Sequence, residues 1–180
     1  MPLASGLAPS MLAALALVLC LAPDARAAGG FTPPKDKAAT CEDGEVYSER
    51  EKKCVAEDSA ALTEGDRYEA GRALAHAGRH DAAIRVLERA DAADARVRNY
   101  LGFAYRKAGR LDEALDHYRV ALRLDPGLTL ARSYMGQALL AAGDAAGARE
   151  QLRLIRAATG PVSLEYVMLR DALGGAGTGY

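Results

Sequence analysis

The fold is decided by residues 101–126, which read LGFAYRKAGRLDEALDHYRVALRLDP. The first half of this stretch places apolar residues at helical spacing, and the pattern stops at Gly109, where glycine adopts a left-handed helix cap at little cost. A second helix opens at Asp112, and Asp125-Pro126 ends it because proline disfavours helix in the preceding residue. The stretch therefore predicts a hairpin of two antiparallel helices.

The same pattern occurs three times in the chain. A glycine is followed by a second glycine seven residues later, then by an alanine after five residues and a bulky residue after four more. The three copies are Gly71, Gly78, Ala83 and Leu87; Gly102, Gly109, Ala114 and Tyr118; and Gly136, Gly143, Ala148 and Leu152. The copies are spaced by 31 and then 34 residues, a period typical of a solenoid in which each unit buries its apolar face against its neighbours. The sequence therefore predicts an all-α solenoid of three stacked helical hairpins.

The central copy resembles a known repeat family. The residues that carry the resemblance to the tetratricopeptide repeat are Leu101-Gly102-x-x-Tyr105, Gly109, Ala114, Tyr118, Ala121 and Asp125-Pro126. The resemblance implies repeats at about 64–94, 95–128 and 129–160 within a domain over 63–174. The whole chain also resembles small exported tetratricopeptide proteins of alphaproteobacteria, which couple a two-cysteine segment to three repeats.

A capping helix is predicted over 162–173, followed by a flexible tail over 175–180. The last repeat of a solenoid leaves an apolar side that needs cover. The apolar residues that recur there at helical spacing are Leu164, Val167, Met168 and Leu173. We expect these four side chains to form the covering face.

The N-terminus predicts a secretory signal peptide over 1–27. Its apolar run, 11–22, is too short to span a bilayer comfortably and precedes a small-x-small site that ends at Ala27. Cys20 leaves open a lipoprotein alternative, because bacterial lipoproteins keep a cysteine at the end of the apolar run. Their processing site resembles one that needs Gly, Ala or Ser just before the cysteine, whereas Leu19 stands there in this chain. Residues 28–40 contain glycine and proline without a periodic apolar face, which indicates a linker. We expect export across the inner membrane, a periplasmic location and no stable membrane span after cleavage.

Two cysteines remain once the signal is removed, Cys41 and Cys54. An even count in an exported chain predicts a disulfide, here within a small β-hairpin over 41–56. The alternative is a redox or metal site, but twelve intervening residues are unlike Cys-x-x-Cys, and no histidine lies within twenty residues. Whether the hairpin covers the first repeat stays open at this stage.

Charge and motifs argue against several classes of function. The formal net charge is −1, from 23 basic and 24 acidic residues, so no global field favours nucleic acid or an anionic membrane as partner. His76 and His80 are four residues apart, but Gly78 between them is expected to end the helix, and we predict no metal site. His117 is interpreted as a solvated surface residue.

Catalytic motifs are not found in the sequence. It contains no Gly-rich phosphate loop, no Gly-x-Ser-x-Gly elbow and no Cys/His pair, and we predict neither catalytic residues nor a cofactor. Three aspartates near the starts of second helices are interpreted as helix caps: Asp81, Asp112 and Asp144.

The resemblance implies a binding surface, because the first helix of each hairpin lines the concave groove in this family. The candidate peptide-binding residues are Tyr68, Arg72, Arg96, Asn99, Phe103, Arg106, Lys107, Ser133 and Gln137. Four cations and two aromatic rings suit an acidic or C-terminal peptide segment, since guanidinium groups bind carboxylates bidentately. The alternative is that these are solvated residues of amphipathic helices.

An arginine stands four residues before the first glycine of each copy, at Arg67, Arg98 and Arg132. We expect each to pack its aliphatic stem between helices while its head meets a carboxylate. Structural bracing is favoured over contact with a ligand.

The sequence thus predicts a non-enzymatic scaffold that binds a protein or peptide partner in the periplasm. Two alternatives remain open: a self-associating structural protein of the envelope, and a thiol-redox protein that cycles Cys41 and Cys54.

Overall fold

The computed structural model describes residues 41–175, and the predicted signal peptide, the linker and the tail from 176 onward lie outside the described residues. A β-hairpin comes first, with strands β1 (Glu45–Ser48) and β2 (Lys53–Ala56). The helices that follow are α1 (Glu64–His76), α2 (His80–Leu87), α3 (Ala95–Lys107), α4 (Leu111–Leu124), α5 (Thr129–Ala141), α6 (Ala145–Thr159) and α7 (Leu164–Leu173).

The helices pair as the repeats predict. α1 packs on α2, α3 on α4 and α5 on α6, and α2 and α4 also pack on the first helix of the next hairpin, α3 and α5. The first helices contact one another in the order α1, α3, α5, and α7 packs on both α5 and α6. The predicted fold class is confirmed: three helical hairpins and a C-terminal helix form a solenoid, preceded by a small β-hairpin.

Each helical hairpin turns on a glycine with positive φ. In the central hairpin Gly109 has a φ of 80°, and its N–H donates to the Arg106 carbonyl at 3.0 Å. The next amide, Arg110 N, donates to the Tyr105 carbonyl at 2.9 Å. This pair of bonds satisfies the last carbonyls of α3, in a backbone conformation that side chains with a Cβ rarely adopt.

The other repeated glycines allow close packing of large side chains. A Cβ at position 102 would lie 2.6 Å from Cε1 of Tyr118, whose side chain is fully buried. The Tyr118 ring lies on Gly102 of its own hairpin. It also approaches the next hairpin, where its centroid is 6.5 Å from that of Tyr134.

The capping helix uses a different residue from the face predicted for it. Leu169 is fully buried, whereas Leu164 is 68% exposed. The two residues are five positions apart, which places them about 140° apart around a helix. Because Leu169 packs on Gly136, Leu164 lies on a different side of α7. The predicted face was therefore wrong at Leu164, while Val167, Met168 and Leu173 are half-buried.

The β-hairpin covers the first repeat, a contact that the sequence left open. The Cys41–Cys54 disulfide joins Cα atoms 5.8 Å apart. Val46 pairs with Val55 across the antiparallel strands and is fully buried in the hydrophobic core. From β1, Ser48 Oγ donates to the Ala61 carbonyl at 3.3 Å. The hairpin thus closes the N-terminal end of the solenoid.

Charged groups fasten the same hairpin to α1 and α2. The Glu49 N–H donates to Asp66 of α1 at 3.2 Å. Arg79, just before α2, donates to the Cys41 carbonyl at 3.0 Å and pairs with Asp43. Glu57, next to β2, lies 3.6 Å from Arg85 of α2 and 3.6 Å from Arg89, two residues after α2. These contacts span both ends of α2.

The three repeated arginines brace the loops that precede the first helices. Their guanidinium groups donate to backbone carbonyls: Arg67 to Glu57 and Ser59, Arg98 to Ala92, and Arg132 to Pro126, at distances of 2.6 to 3.2 Å. The expected bracing role is supported, but the expected carboxylate partners were wrong. The acceptors are instead backbone carbonyls of the loop that precedes each first helix.

Helix capping follows the prediction at one aspartate of three. Asp144 caps α6 and accepts from the Gly147 N–H at 2.8 Å. α2 and α4 begin one residue earlier than their aspartates, after Arg79 and Arg110, and neither has a side-chain cap. Asp81 and Asp112 lie inside the first turn, where a negative charge still favours the helix dipole.

Within 41–175, no helix is long and apolar enough to cross a membrane.

Candidate peptide-binding groove

Aromatic side chains run in a row along the surface formed by α1, α3 and α5, which we call the groove. The ring of Tyr68 lies 5.9 Å from that of Tyr100, which lies 6.3 Å from Phe103. Phe103 in turn lies 5.1 Å from Tyr134. These four rings, which we call the aromatic row, connect all three repeats. Sequence reasoning named Tyr68 and Phe103 but missed Tyr100 and Tyr134.

A signal for the missed rings was present in the repeat pattern. Tyr100 and Tyr134 each stand two residues before the first glycine of their copy, at Gly102 and Gly136. The two tyrosines therefore occupy equivalent positions on neighbouring first helices, which is how they come to the same surface.

Cations from the predicted set lie over these rings. Arg96 is 4.6 Å from the Tyr68 centroid. Arg106 is 5.5 Å from Phe103 and 5.9 Å from Tyr134, and Lys107 is 5.8 Å from Phe103. At these distances the ring quadrupole attracts a cation, so the aromatic row holds the charges in place.

The four cations of the groove differ in their acidic partners. Arg72 pairs with Glu69 at 2.9 Å, and Arg96 pairs with Asp94 at 2.6 Å. Among the described residues, no carboxylate forms a salt bridge with Arg106 or Lys107. Burial, and then the neighbouring charge of Arg106, lower the pKa of Lys107. Two adjacent positive charges in the groove are therefore not neutralised by the part of the chain that is described.

The two small polar residues of the predicted set are buried. Asn99 is 1% exposed and Ser133 is fully buried, and within 41–175 neither Asn99 Oδ1 nor Ser133 Oγ has a hydrogen-bond partner. They occupy equivalent positions on α3 and α5, three residues before Gly102 and Gly136. Their side chains lie beneath the groove surface, whereas Gln137 faces into it.

A cavity of ≈ 330 Å³ opens in the groove. Its lining residues come from α1, α3, α5 and α7: His76, Phe103, Arg106, Tyr134, Gln137, Leu164 and Met168. The His76 ring lies 5.5 Å from Phe103, and its Nε2 is 3.3 Å from the Tyr100 hydroxyl. The C-terminal helix thus forms one wall of the groove as well as covering the last hairpin.

His117 lies outside the groove and is not the solvated residue that we expected. Its ring stacks on Tyr105 with centroids 5.1 Å apart and an interplanar angle of 10°. Its Nδ1 is 3.5 Å from Arg98 Nη1. Burial, and then the charge of Arg98, lower the pKa of His117. The prediction failed because α4 turns this position toward α3.

The described residues contain no cluster of three or more His, Cys, Asp or Glu side chains placed to hold a metal ion. His76 lies at the end of α1 and His80 at the start of α2, on opposite sides of the turn at Gly78. The chemistry that the groove offers is recognition: aromatic and apolar contact beside two positive charges.

Comparisons with known proteins agree with this architecture. One family model described as the tetratricopeptide repeat matches residues 95–128, and a second with the same description matches 67–89 and 129–153. In fold, the chain is similar to a chain in the crystal structure of a T3SS complex from Aeromonas hydrophila, with a TM-score of 0.53. The two share 22% identity, and the match covers 63% of this chain and 77% of that one. At this identity the likeness concerns the fold alone. No curated protein matches the sequence.

Proposed function

Because the chain carries three tetratricopeptide repeats, which imply protein partners, we propose that it is a non-enzymatic scaffold that binds a segment of another protein in its groove. It does so in the bacterial periplasm, after export across the inner membrane.

The observation that carries the proposal is the pair of cations beside the aromatic row. Arg106 and Lys107 lie within 6 Å of the Phe103 ring and have no salt-bridge partner among the described residues. An acidic segment supplies the missing carboxylates, and the rings supply apolar contact. Because the first helices pack on one another, the surface is preorganised, which lowers the entropic cost of binding.

Two features support export. The apolar run over 11–22 ends in a site typical of secretory signals. Cys41 and Cys54 are within disulfide geometry, and disulfides persist in oxidising compartments such as the periplasm. Fractionation of native cells into periplasm, cytoplasm and membrane tests the location, and recovery of the chain in the cytoplasm alone would contradict it.

The binding proposal is tested by site-specific photocrosslinking in native cells. A photoreactive residue at Gln137, which lines the cavity, is expected to trap a partner protein. The same residue at Arg123, which is exposed on α4, is expected not to trap it. The trapped partner is then purified and titrated. Equal crosslinking from the two positions, followed by binding that is insensitive to substitutions in the groove, would overturn the proposal.

Self-association is a second candidate, and one observation favours it. Val162, two residues before α7, and Leu164, the first residue of α7, are large apolar side chains that are 85% and 68% exposed. Sedimentation velocity over a hundredfold range of concentration decides this point. A sedimentation coefficient that does not change with concentration would rule against the oligomer.

A further inference from the structure

The cavity formed by the groove and α7 has no assigned ligand, and we propose that it receives one large apolar side chain of the bound segment, next to an acidic residue that contacts Arg106 and Lys107. This inference rests on the proposed function, because it names the chemistry of the segment that the groove binds.

The apolar walls and the volume set the size of the guest. Phe103, Tyr134, Leu164 and Met168 supply rings, branched carbons and a flexible thioether. A volume of ≈ 330 Å³ is at the lower end of the range of about 300–1,000 Å³ for small-ligand sites. It accommodates one aromatic or branched aliphatic side chain and is too small for a helix. The adaptable Met168 side chain suits a wall that closes around such a guest.

The wall contributed by α7 is exposed without a guest. Leu164 lines the cavity and yet remains 68% exposed. Apolar surface of this kind gains stability when a ligand covers it. An apolar guest is therefore favoured over a polar one at this position.

Charge complementarity identifies the neighbouring group as a carboxylate. Arg106 lines the cavity and lies over the Phe103 ring, as does Lys107, and no carboxylate in the described part of the chain forms a salt bridge with either cation. A carboxylate of the ligand would form charge-assisted hydrogen bonds with these two cations. Glu165 of α7 lies near enough to act electrostatically on Tyr134, but it forms no salt bridge with Arg106.

Polar groups at the cavity suit a peptide. Gln137 lines it and carries both a donor and an acceptor, which match the amide groups of a main chain. An acyl chain offers no amide groups for Gln137 to bind. A peptide segment is accordingly the occupant that the site favours.

The test begins with a display selection of short random peptides on the exported protein. The expected result is enrichment of peptides that share an aromatic or branched aliphatic residue directly beside Asp or Glu. Replacing that acidic residue by its amide is expected to weaken binding about tenfold, since charge-assisted hydrogen bonds are lost. Arg106→Gln is expected to cause a similar loss, while Arg123→Gln, with the same change in charge on α4, leaves affinity unchanged.

Methionine methyl resonances locate the bound peptide. The described residues contain two methionines, of which Met168 lines the cavity and Met135 does not. The expected result is a shift of the Met168 methyl signal on peptide binding, with Met135 as an internal control. Circular dichroism of each variant verifies that it is folded.

The outcomes separate the inference from the proposed function. Peptides that bind without a preference for an acidic residue, or without moving Met168, overturn the subsite and leave groove binding intact. Failure to enrich any peptide overturns both. A shift of Met168 produced by dodecanoate and by no peptide overturns the peptide as the occupant.

Discussion

Gly136 of α5 lies against Leu169 of α7, a contact so close that a Cβ at position 136 would be 2.5 Å from Leu169 Cδ2. The equivalent glycines of the first two hairpins instead meet a side chain of their own second helix, Leu87 or Tyr118. The third hairpin thus takes its packing partner from the capping helix. Because α7 also forms a wall of the cavity, this contact connects the stability of the cap with the shape of the groove.

Gly136→Ala is expected to destabilise the protein by about 1–3 kcal/mol, because the added methyl overpacks the contact with Leu169. Urea unfolding followed by circular dichroism measures the change. The matched control is Gly65→Ala in the first turn of α1, where the nearest atom would be 3.6 Å away. Since alanine favours helix over glycine, this control is expected to be neutral or stabilising. Equal free energies of unfolding for Gly136→Ala and wild type would contradict the packing.

Two tyrosine hydroxyls are expected to differ in how much they contribute to the stability of the fold. The Tyr105 hydroxyl donates to Glu88 Oε1 at 2.6 Å. Among the described residues the buried Tyr118 hydroxyl forms no hydrogen bond of ordinary geometry, although the Arg106 side chain lies beside it. Tyr105→Phe is expected to cost about 1–2 kcal/mol, and Tyr118→Phe is expected to cost less, since it removes a buried polar group that is poorly paired. Thermal unfolding of both variants makes the comparison. A larger loss for Tyr118→Phe than for Tyr105→Phe would reverse the assignment.

Opening the disulfide is expected to loosen the N-terminal cover of the solenoid. Replacing both Cys41 and Cys54 by serine is expected to cost about 3 kcal/mol, the value for a closed loop of this size. Differential scanning calorimetry measures the change, and the double variant must show no further response to reductant. A melting temperature that stays at the wild-type value would mean that Val46 and the ion pairs hold the hairpin without the crosslink.

Asp66 is expected to make the attachment of the β-hairpin sensitive to acid. Burial raises the pKa of this carboxyl, but hydrogen bonds from the Thr63 and Glu49 amides outweigh burial, and the net pKa lies below its usual value of 3.8. A carboxyl whose pKa is lower in the folded protein than in the unfolded chain stabilises the fold at pH values above the unfolded-state pKa. That stability is lost as the pH falls through the folded-state pKa. Stability should therefore decline from about pH 4 downward.

The measurement is the free energy of unfolding between pH 5 and pH 2 for wild type and Asp66→Asn. The variant is expected to show a shallower decline, while Asp58→Asn, which changes an exposed carboxylate, follows wild type. Parallel curves for Asp66→Asn and wild type would refute the role of this carboxylate.

The repeat pattern was sufficient to predict the hairpins, because glycine and alanine occupy fixed positions where helices approach. Gly102, Gly109 and Ala114 recur with their spacing, and their packing roles are local. The position of α7 was not predictable from its own apolar pattern. The residue that α7 buries is decided by the space above Gly136. Gly136 belongs to α5, about thirty residues earlier in the chain.

The groove was predicted in part, for a similar reason. The positions of Phe103, Arg106 and Lys107 on a first helix follow from the repeat register. The burial of Asn99 and Ser133 and the aromatic contacts of His76 depend on how neighbouring helices are rotated. A single helical pattern does not contain that rotation, since it arises when side chains of two repeats pack together.

The most direct test of the central claim uses the partner protein that photocrosslinking captures at the groove. Its affinity is measured for the double variant in which Arg106→Glu is combined with Lys107→Glu. The matched control, Arg119→Glu with Arg123→Glu, makes the same change in charge on the exposed side of α4. Titration at low and high salt is expected to show salt-sensitive binding by wild type and by the control, and a loss of at least about tenfold in the groove variant. A groove variant that is folded and binds the purified partner as tightly as wild type would contradict the account.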